Sequence, residues 1–288
     1  MFKITKKENL NSEVIRIKVE APFIARKARA GQFAAVVIDQ NGERIPLTLS
    51  DWDKETGEIT LIFQKTGFST NRLAGLNPGD SIAHILGPLG QATEIRPQHT
   101  LQAQEGRLNN FGTVYCVSGG VGIAEIYPVT RAFKESGSRV IAIIGSRNKD
   151  LLILEKEIRE TSDELFITTD DGSYGKKGLV IDTLKDLFGA IEKSTHTQYP
   201  DLVYCIGPVP MMQAVANFTK EYLVKTIASL NPIMVDATGM CGACRCHVGN
   251  KEVFACVDGP DFDAHLVDFD ELNRRLKTFA KEEKRIKT

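Results

Sequence analysis

Apolar and polar residues alternate through the first third of the chain. Stretches such as VIRIKVE and ITLIFQ put one apolar face inward and one polar face outward, the period-two signature of half-buried strands. On this pattern Phe2–Lys7, Glu13–Glu20, Gln32–Asp39, Glu58–Gln64 and Ser81–Leu86 are predicted strands. Asn41-Gly42, Thr56-Gly57 and Asn77-Pro78-Gly79 supply turns between them. Ser69–Leu76 reads as one short helix. Residues 1–96 therefore predict an antiparallel β-barrel domain. The polar, turn-like run 97–110 reads as a linker or insertion.

From Thr113 the rhythm changes. Thr113–Val117, Arg139–Ile144, Leu165–Thr169 and Leu202–Ile206 are short apolar runs. Helical stretches intervene: from the Gly-rich turn to Glu135, over Leu179–Phe188, and over Pro210–Tyr222. Strands alternating with helices imply a doubly wound parallel sheet, here over residues 111–230. The remainder, 231–288, holds a cysteine-rich segment and a charged helix expected at about Asp268–Lys284. The predicted class is thus α/β plus β in three parts. No internal repeat or low-complexity tract interrupts it.

Composition narrows the function classes. The chain has 288 residues, 42% of them hydrophobic and 25% charged, with net charge −1. These are ordinary globular values, and near-neutral charge gives no reason to expect nucleic acid or another polyanion as partner. The opening MFKITKKENL is already an amphipathic strand, and no run reaches the roughly 18 apolar residues of a membrane span. The expectation is a soluble, cytoplasmic protein without a membrane partner. Of six cysteines, Cys116 and Cys205 lie in apolar runs and are expected inside strands.

The other four cysteines fall within sixteen residues. The spacing Asp236-(x4)-Cys241-(x2)-Cys244-(x11)-Cys256 suits a [2Fe–2S] cluster, whose thiolate ligands come from a short wrapping segment. Gly239 and Gly242 permit tight bends, and small Ala243 leaves room. Cys256 returns from an expected hairpin, Arg245–Val248 and Glu252–Ala255, turning at Gly249-Asn250. Two residues compete as fourth ligand. Asp236 offers a carboxylate, a harder donor. Cys246 lies two positions from Cys244, on one face if both are extended. A zinc ribbon is the rival reading, though it ordinarily wants a second C-x-x-C pair. In that case the chain is a zinc-stapled nucleotide-binding scaffold without turnover.

Two further constellations suit phosphates. Gly119, Gly120 and Gly122 stand between a strand and a helix, where glycine allows a tight turn and close approach of a pyrophosphate to the helix N-terminus. Asp170 and Asp171, then Cys205, Gly207 and Pro208, follow the next strand ends, the usual ligand edge of such sheets. In the β-rich part, Gly67 with Ser69 and Thr70 opens the short helix and also suits a phosphate. Arg147 and Lys149 leave NAD against NADP open.

This order of parts, with VDATGMCGAC, FACVDGPDFDAH, TDDGSYGKKG and CIGPVPMM, resembles the ferredoxin–NADP reductase-like superfamily over nearly the whole chain. Within it the chain is similar to the electron-transfer subunits of dihydroorotate dehydrogenase. It looks more like the small subunits of NADH-dependent ferredoxin:NADP oxidoreductase, also described as sulfide dehydrogenase, where three Cys and one Asp hold the cluster. The resemblance implies FAD against Arg44, Pro46, Leu47, Thr48, Leu49, Gly67, Ser69 and Thr70. It implies NAD(H) at Gly119, Gly120, Gly122, Asp170, Asp171, Cys205, Gly207 and Pro208, and a [2Fe–2S] cluster on Asp236, Cys241, Cys244 and Cys256. It further implies electron transfer with a larger partner subunit carrying flavin and [4Fe–4S] clusters, and no acid–base side chain of its own. Two departures stand out. The superfamily's flavin motif R-x-[YF]-[ST], aligned on Thr48, puts Ile45 where its Arg belongs and Leu47 where its aromatic belongs, leaving Arg44 one residue early. Glu125 stands where relatives often carry proline.

Overall fold

The period-two stretches of the N-terminal third pair with one another. In the computed structural model, which describes residues 1–96, 110–194, 198–280 and 282, they form β1 (Phe2–Asn9), β2 (Val14–Glu20), β3 (Phe33–Val37), β4 (Ile45–Asp53), β5 (Glu58–Gln64), β6 (Ser81–Ile82) and β7 (His84–Leu89). The sheet order is β6-β1-β2-β5-β4-β3-β7, and its ladders are antiparallel. Strand β4 carries the curl of this barrel sheet. Its first half pairs with β3, Pro46 opposite Ala35 and Thr48 opposite Phe33. Its second half pairs with β5, Leu49 opposite Leu61 and Asp53 opposite Glu58. The register shifts between Leu49 and Asp51, and such a bulge bends a strand. Inside, Ile4, Ile17, Val19, Leu49, Ile59 and Leu61 are fully buried in one core.

Two helices close this core. α1 (Pro22–Lys27) starts on a proline and buries Ile24 and Ala25, using a fixed φ where no N–H is needed. α2 (Phe68–Gly75) buries Leu73, within one residue of the expected helix. α1 was not foreseen as an element, and the nine-residue β4 was not among the predicted strands. Six residues are too few for a helical period, and Pro46 argues against a strand. It is tolerated because the ladder to β5 begins only at Leu49.

The second unit is the α/β part, Thr93–Ser229 with Asp263–His265. Its elements are β8 (Thr113–Gly119), α3 (Gly122–Glu135), β9 (Arg139–Ser146), α4 (Glu155–Glu160), β10 (Glu164–Thr169), β11 (Lys176–Lys177), α5 (Val180–Glu192), β12 (Leu202–Ile206), α6 (Val209–Glu221) and β13 (Thr226–Ser229). The strands lie parallel in the order β11-β10-β9-β8-β12-β13. The chain winds from β8 to one side and resumes at β12 on the other, so the switch point lies between them. Ligands bind sheets of this kind at the strand ends beside such a point. Cys116 and Cys205 are fully buried in β8 and β12, as expected. The short elements α4, β11 and β13 were not anticipated, each being shorter than a readable period. The expected linker 97–110 falls almost wholly outside the described residues.

Leu230–Phe262 and Leu266–Thr288 belong to the same unit as the barrel. They carry the hairpin β14 (Arg245–Val248) and β15 (Lys251–Phe254), then α7 (Phe269–Leu276). The hairpin lies within one residue of its expected span. Gly249 turns it in the left-handed region at φ 62°. α7 begins where the Asp268 side chain accepts the Glu271 N–H at 2.8 Å. It ends at Leu276, well short of the expected Lys284, because residues 277–279 form a turn. Positions 283 and 284 lie outside the described residues. Among the described residues no helix is long and apolar enough to cross a membrane.

Candidate functional site

Residues 235–244 form neither helix nor strand, and left-handed backbone at Ala237, Gly239 and Gly242 folds them back on themselves. Gly239 is required twice over. Its φ is 86°, and a Cβ there would stand 2.7 Å from Val257 Cγ2. The Asp236 carboxylate accepts the N–H groups of Thr238 at 3.0 Å and Met240 at 3.3 Å, and also the Thr238 hydroxyl. Its other oxygen pairs with Arg44, whose same nitrogen also reaches the Asp236 carbonyl. The Thr238 hydroxyl above all holds this carboxyl below its usual value, against burial, with the two N–H groups and Arg44 adding to it.

The thiols converge beside this carboxylate. Cys241 is exposed and its sulfur accepts the Ala243 N–H at 3.5 Å. That N–H, with the backbone N–H of Asp236, lowers the Cys241 pKa and favours the thiolate. Cys244 and Cys256 are buried, with sulfurs 3.2 Å apart. Two thiolates on one tetrahedral metal at about 2.3 Å would stand about 3.7 Å apart, so this pair needs little movement. Burial first, and then Cys244, push the Cys256 thiol up to about 12; a bound cation reverses that by stabilising the thiolates. Among the described residues no three His, Cys, Asp or Glu side chains form a group ready to hold a metal ion. A two-iron cluster asks for something looser, two donor pairs separated by an inorganic core, and the donors of this loop together with Cys256 beyond the hairpin fit it. Cys246 lies on β14, after Cys244 has left the turn. Its buried thiol turns to the Cys244 carbonyl at 3.6 Å, and burial pushes it up to about 12. α7 braces the loop: Arg275 donates to the Ala243 carbonyl at 3.1 Å, and Glu271 pairs with His247.

The flavin-motif residues divide by face. Leu47, at the position of the motif's aromatic, and Leu49 both belong to the barrel core. Pairing puts the leucines on the inner face and leaves half-buried Pro46 and Thr48 on the other. At the start of α2, Gly67 has nothing within 4 Å of where a Cβ would sit. With φ at −137° it is demanded neither by conformation nor by packing, and the space in front of the helix stays open. Thr70 Oγ1 accepts the N–H groups of Thr66 at 3.0 Å and Gly67 at 3.1 Å. Ser69 donates to Glu43. Arg44 lies on Asp236, as described.

In the α/β unit the three turn glycines do different things. Gly120 is exposed at φ 61° with nothing near it, leaving the N-terminus of α3 open. A Cβ on Gly119 would come within 3.1 Å of Met211 Sδ. One on Gly122 would meet the Ile206 carbonyl at 2.8 Å and Gly207 Cα at 3.0 Å. A Cβ on Gly207 would in turn meet the Gly119 carbonyl at 3.1 Å. Cys205 is buried inside β12, whereas Pro208 at the strand end is exposed. Asp170 and Asp171 are exposed after β10, the Asp171 carboxyl held low by Ser173. Lys149 sits 5.4 Å over the Tyr174 ring. Half-buried Glu125, in the first turn of α3, has its carboxyl raised to about 7 by burial.

Comparison with known proteins bears on the fold and on the cysteine-rich segment. Residues 231–268, which span all four candidate ligands and Cys246, match the family model described as the iron–sulfur cluster binding domain of dihydroorotate dehydrogenase B. The chain is 40% identical to a Thermotoga maritima protein named as a homolog of the dihydroorotate dehydrogenase B (NAD(+)) electron transfer subunit, over 98% of this chain and 92% of that one. It is 45% identical to an uncharacterized protein of the adh 3′ region of Clostridium beijerinckii, over the same shares. A solved structure from a study of flavin-based electron bifurcation, the NADH-dependent reduced ferredoxin–NADP oxidoreductase, superposes with TM-score 0.88 at 39% identity, covering 99% of this chain and 96% of that one. The chain belongs to the family of dihydroorotate dehydrogenase B electron-transfer subunits and shares their ferredoxin reductase-like fold.

Proposed function

We propose that this chain is an oxidoreductase subunit that passes electrons between NAD(H), FAD and a [2Fe–2S] cluster, to or from a larger flavoprotein. The observation that carries the reading is the loop on which Cys241, Cys244 and Cys256 converge beside Asp236. Flavin exchanges electrons in pairs with nicotinamide and singly with an iron–sulfur centre, and that chemistry belongs to the bound groups. The chain's own residues bind and orient. In this reading residues 1–96 hold FAD, 111–230 hold NAD(H) and 231–288 hold the cluster. Asp236 completes the ligand set. Pro46 and Thr48 face the flavin with their side chains, and Leu47 and Leu49 with their backbone. Gly67, Ser69 and Thr70 receive its phosphates at the start of α2, where a phosphate takes over Ser69 from Glu43. Gly120 opens the α3 terminus to the pyrophosphate of NAD(H), with Asp170, Asp171 and Pro208 on the same edge.

The partner is proposed to be a cytoplasmic subunit with flavin and [4Fe–4S] clusters, of the ferredoxin:NADP oxidoreductase type, supported by the likeness to that solved structure. A second reading, electron transfer for dihydroorotate oxidation, is supported by the names of the relatives. Anaerobic purification with metal, sulfide and flavin analysis tests the main reading. Two irons, two sulfides and one FAD per chain are expected, with flavin bleaching on addition of NADH. Colourless protein containing zinc defeats it. The large subunit that co-purifies decides between the two redox roles.

A further inference from the structure

The Arg44 side chain does something the flavin motif does not ask of it. One guanidinium nitrogen reaches both the carbonyl and the carboxylate of Asp236, 192 positions along the chain. The pair is only partly exposed, 34% for Arg44 and 21% for Asp236. The other carboxylate oxygen is already filled by Thr238 and Met240. A carboxylate has about four acceptor directions, so one remains on the oxygen that Arg44 holds. Arg44 directly precedes β4, and β4 is tied on both sides by its ladders. The guanidinium thus anchors an irregular loop to the rigid sheet.

We infer that Arg44 is a positioning and potential-setting residue for the cluster, acting through Asp236, and is not a flavin pyrophosphate ligand. This explains why it lies one residue out of register with the flavin motif. Two effects follow. The double hydrogen bond fixes the Asp236 carboxylate on the loop that carries Cys241 and Cys244. The charge, which arginine does not lose, favours whichever state of the cluster is more negative, namely the reduced one. Lysine keeps the charge, but its compact ammonium does not place a donor where the rigid, planar guanidinium holds this nitrogen.

The inference rests on the proposed [2Fe–2S] site, and the test separates the two. Arg44→Gln and Arg44→Lys are made in the full chain and compared with wild type for iron, sulfide and FAD content, EPR spectrum of the reduced protein, and cluster midpoint potential. Arg44→Gln is expected to keep FAD and iron but to shift the g-values and lower the potential. At a fixed potential its reduced-to-oxidised ratio should fall about tenfold, about 59 mV for one electron. Arg44→Lys should recover at least half of the potential shift while keeping altered g-values. If Arg44→Gln does not fold, the smaller shift in Arg44→Lys still decides. Unchanged potential and spectrum overturn the inference. So does loss of FAD with an unshifted cluster, which would return Arg44 to the flavin. Wild-type protein without iron defeats the functional reading instead.

Discussion

Gly122→Ala separates packing from ligand binding at the Gly-rich turn. The added methyl would lie 2.8 Å from the Ile206 carbonyl, 3.0 Å from Gly207 Cα and 3.0 Å from Ser118 Oγ. Two of these are backbone atoms at the end of β12, so no side chain can swing away to relieve the contact. Overpacking of this kind costs about 1–3 kcal/mol. Loosening the buried 2.9 Å bond from Ser118 to the Ile206 carbonyl adds about 1 kcal/mol. Alanine's better helix propensity returns less than about 1 kcal/mol at a first helical residue. The net loss is about 1–4 kcal/mol, which lowers Tm by roughly 2–16 °C for a domain of this size. Gly120→Ala is the control. With open space around it, its cost is the left-handed backbone alone, about 1–2 kcal/mol, but its methyl stands at the proposed pyrophosphate site. Circular-dichroism melts and NADH titrations on both variants give the expected contrast, Gly122→Ala losing more stability and Gly120→Ala losing more affinity. A Gly122→Ala protein that melts with wild type would refute the packing argument.

The cysteines give a second prediction. Cys241→Ser, Cys244→Ser and Cys256→Ser should each lose the cluster by iron and sulfide analysis, while Cys246→Ser keeps it, and iron loss in the Cys246 variant would remove Asp236 as fourth ligand. Glu125 gives a third. Its folded pKa of about 7 lies above the ordinary 4.5, so its charge opposes folding above pH 7, and the penalty fades as pH falls toward 4.5. Glu125→Gln should therefore melt higher than wild type at pH 8 and nearly with it at pH 5; an equal difference at both pH values would contradict this.

Legibility in the sequence followed the length of each element and the reach of each contact. β5 and β12 were readable to the residue because Glu58–Gln64 and Leu202–Ile206 are uninterrupted runs with clear turns beyond them. α3 was readable to its end at Glu135 despite Pro128 within it, since Ile123, Ile126, Val129 and Phe133 keep the helical period. β4 was hidden by Pro46 and by a bulge that breaks its alternation. The cysteine loop was legible because ligand chemistry dictates spacing along the chain. The face of Leu47 depended on pairing register, which one residue of slip reverses. The packing of Gly122 against β12 and the pairing of Arg44 with Asp236 join distant positions. No local signal encodes them.

A loop without regular structure needs another source of rigidity if it is to hold metal ligands in place, and here side chains from flanking elements supply it. Arg44, before β4, holds Asp236. Arg275, from α7, holds the carbonyl of Ala243 between Cys241 and Cys244. Gln91, after β7, donates its backbone N–H to the Gly259 carbonyl at 2.6 Å and its side chain to the Val257 carbonyl at 2.9 Å, next to Cys256. Each stretch that carries candidate ligands thus has its own anchor, and each anchor comes from an element outside the loop. Ligands fixed in this way need little rearrangement when the charge between them changes by one electron. Glycine serves the same end from the opposite direction. Gly239 and Gly242 let the backbone take left-handed bends, and the anchors remove the freedom that glycine would otherwise leave. The loop is therefore permissive in sequence and constrained in space, which is what the proposed site, with three cysteines and a carboxylate within twenty-one residues, requires.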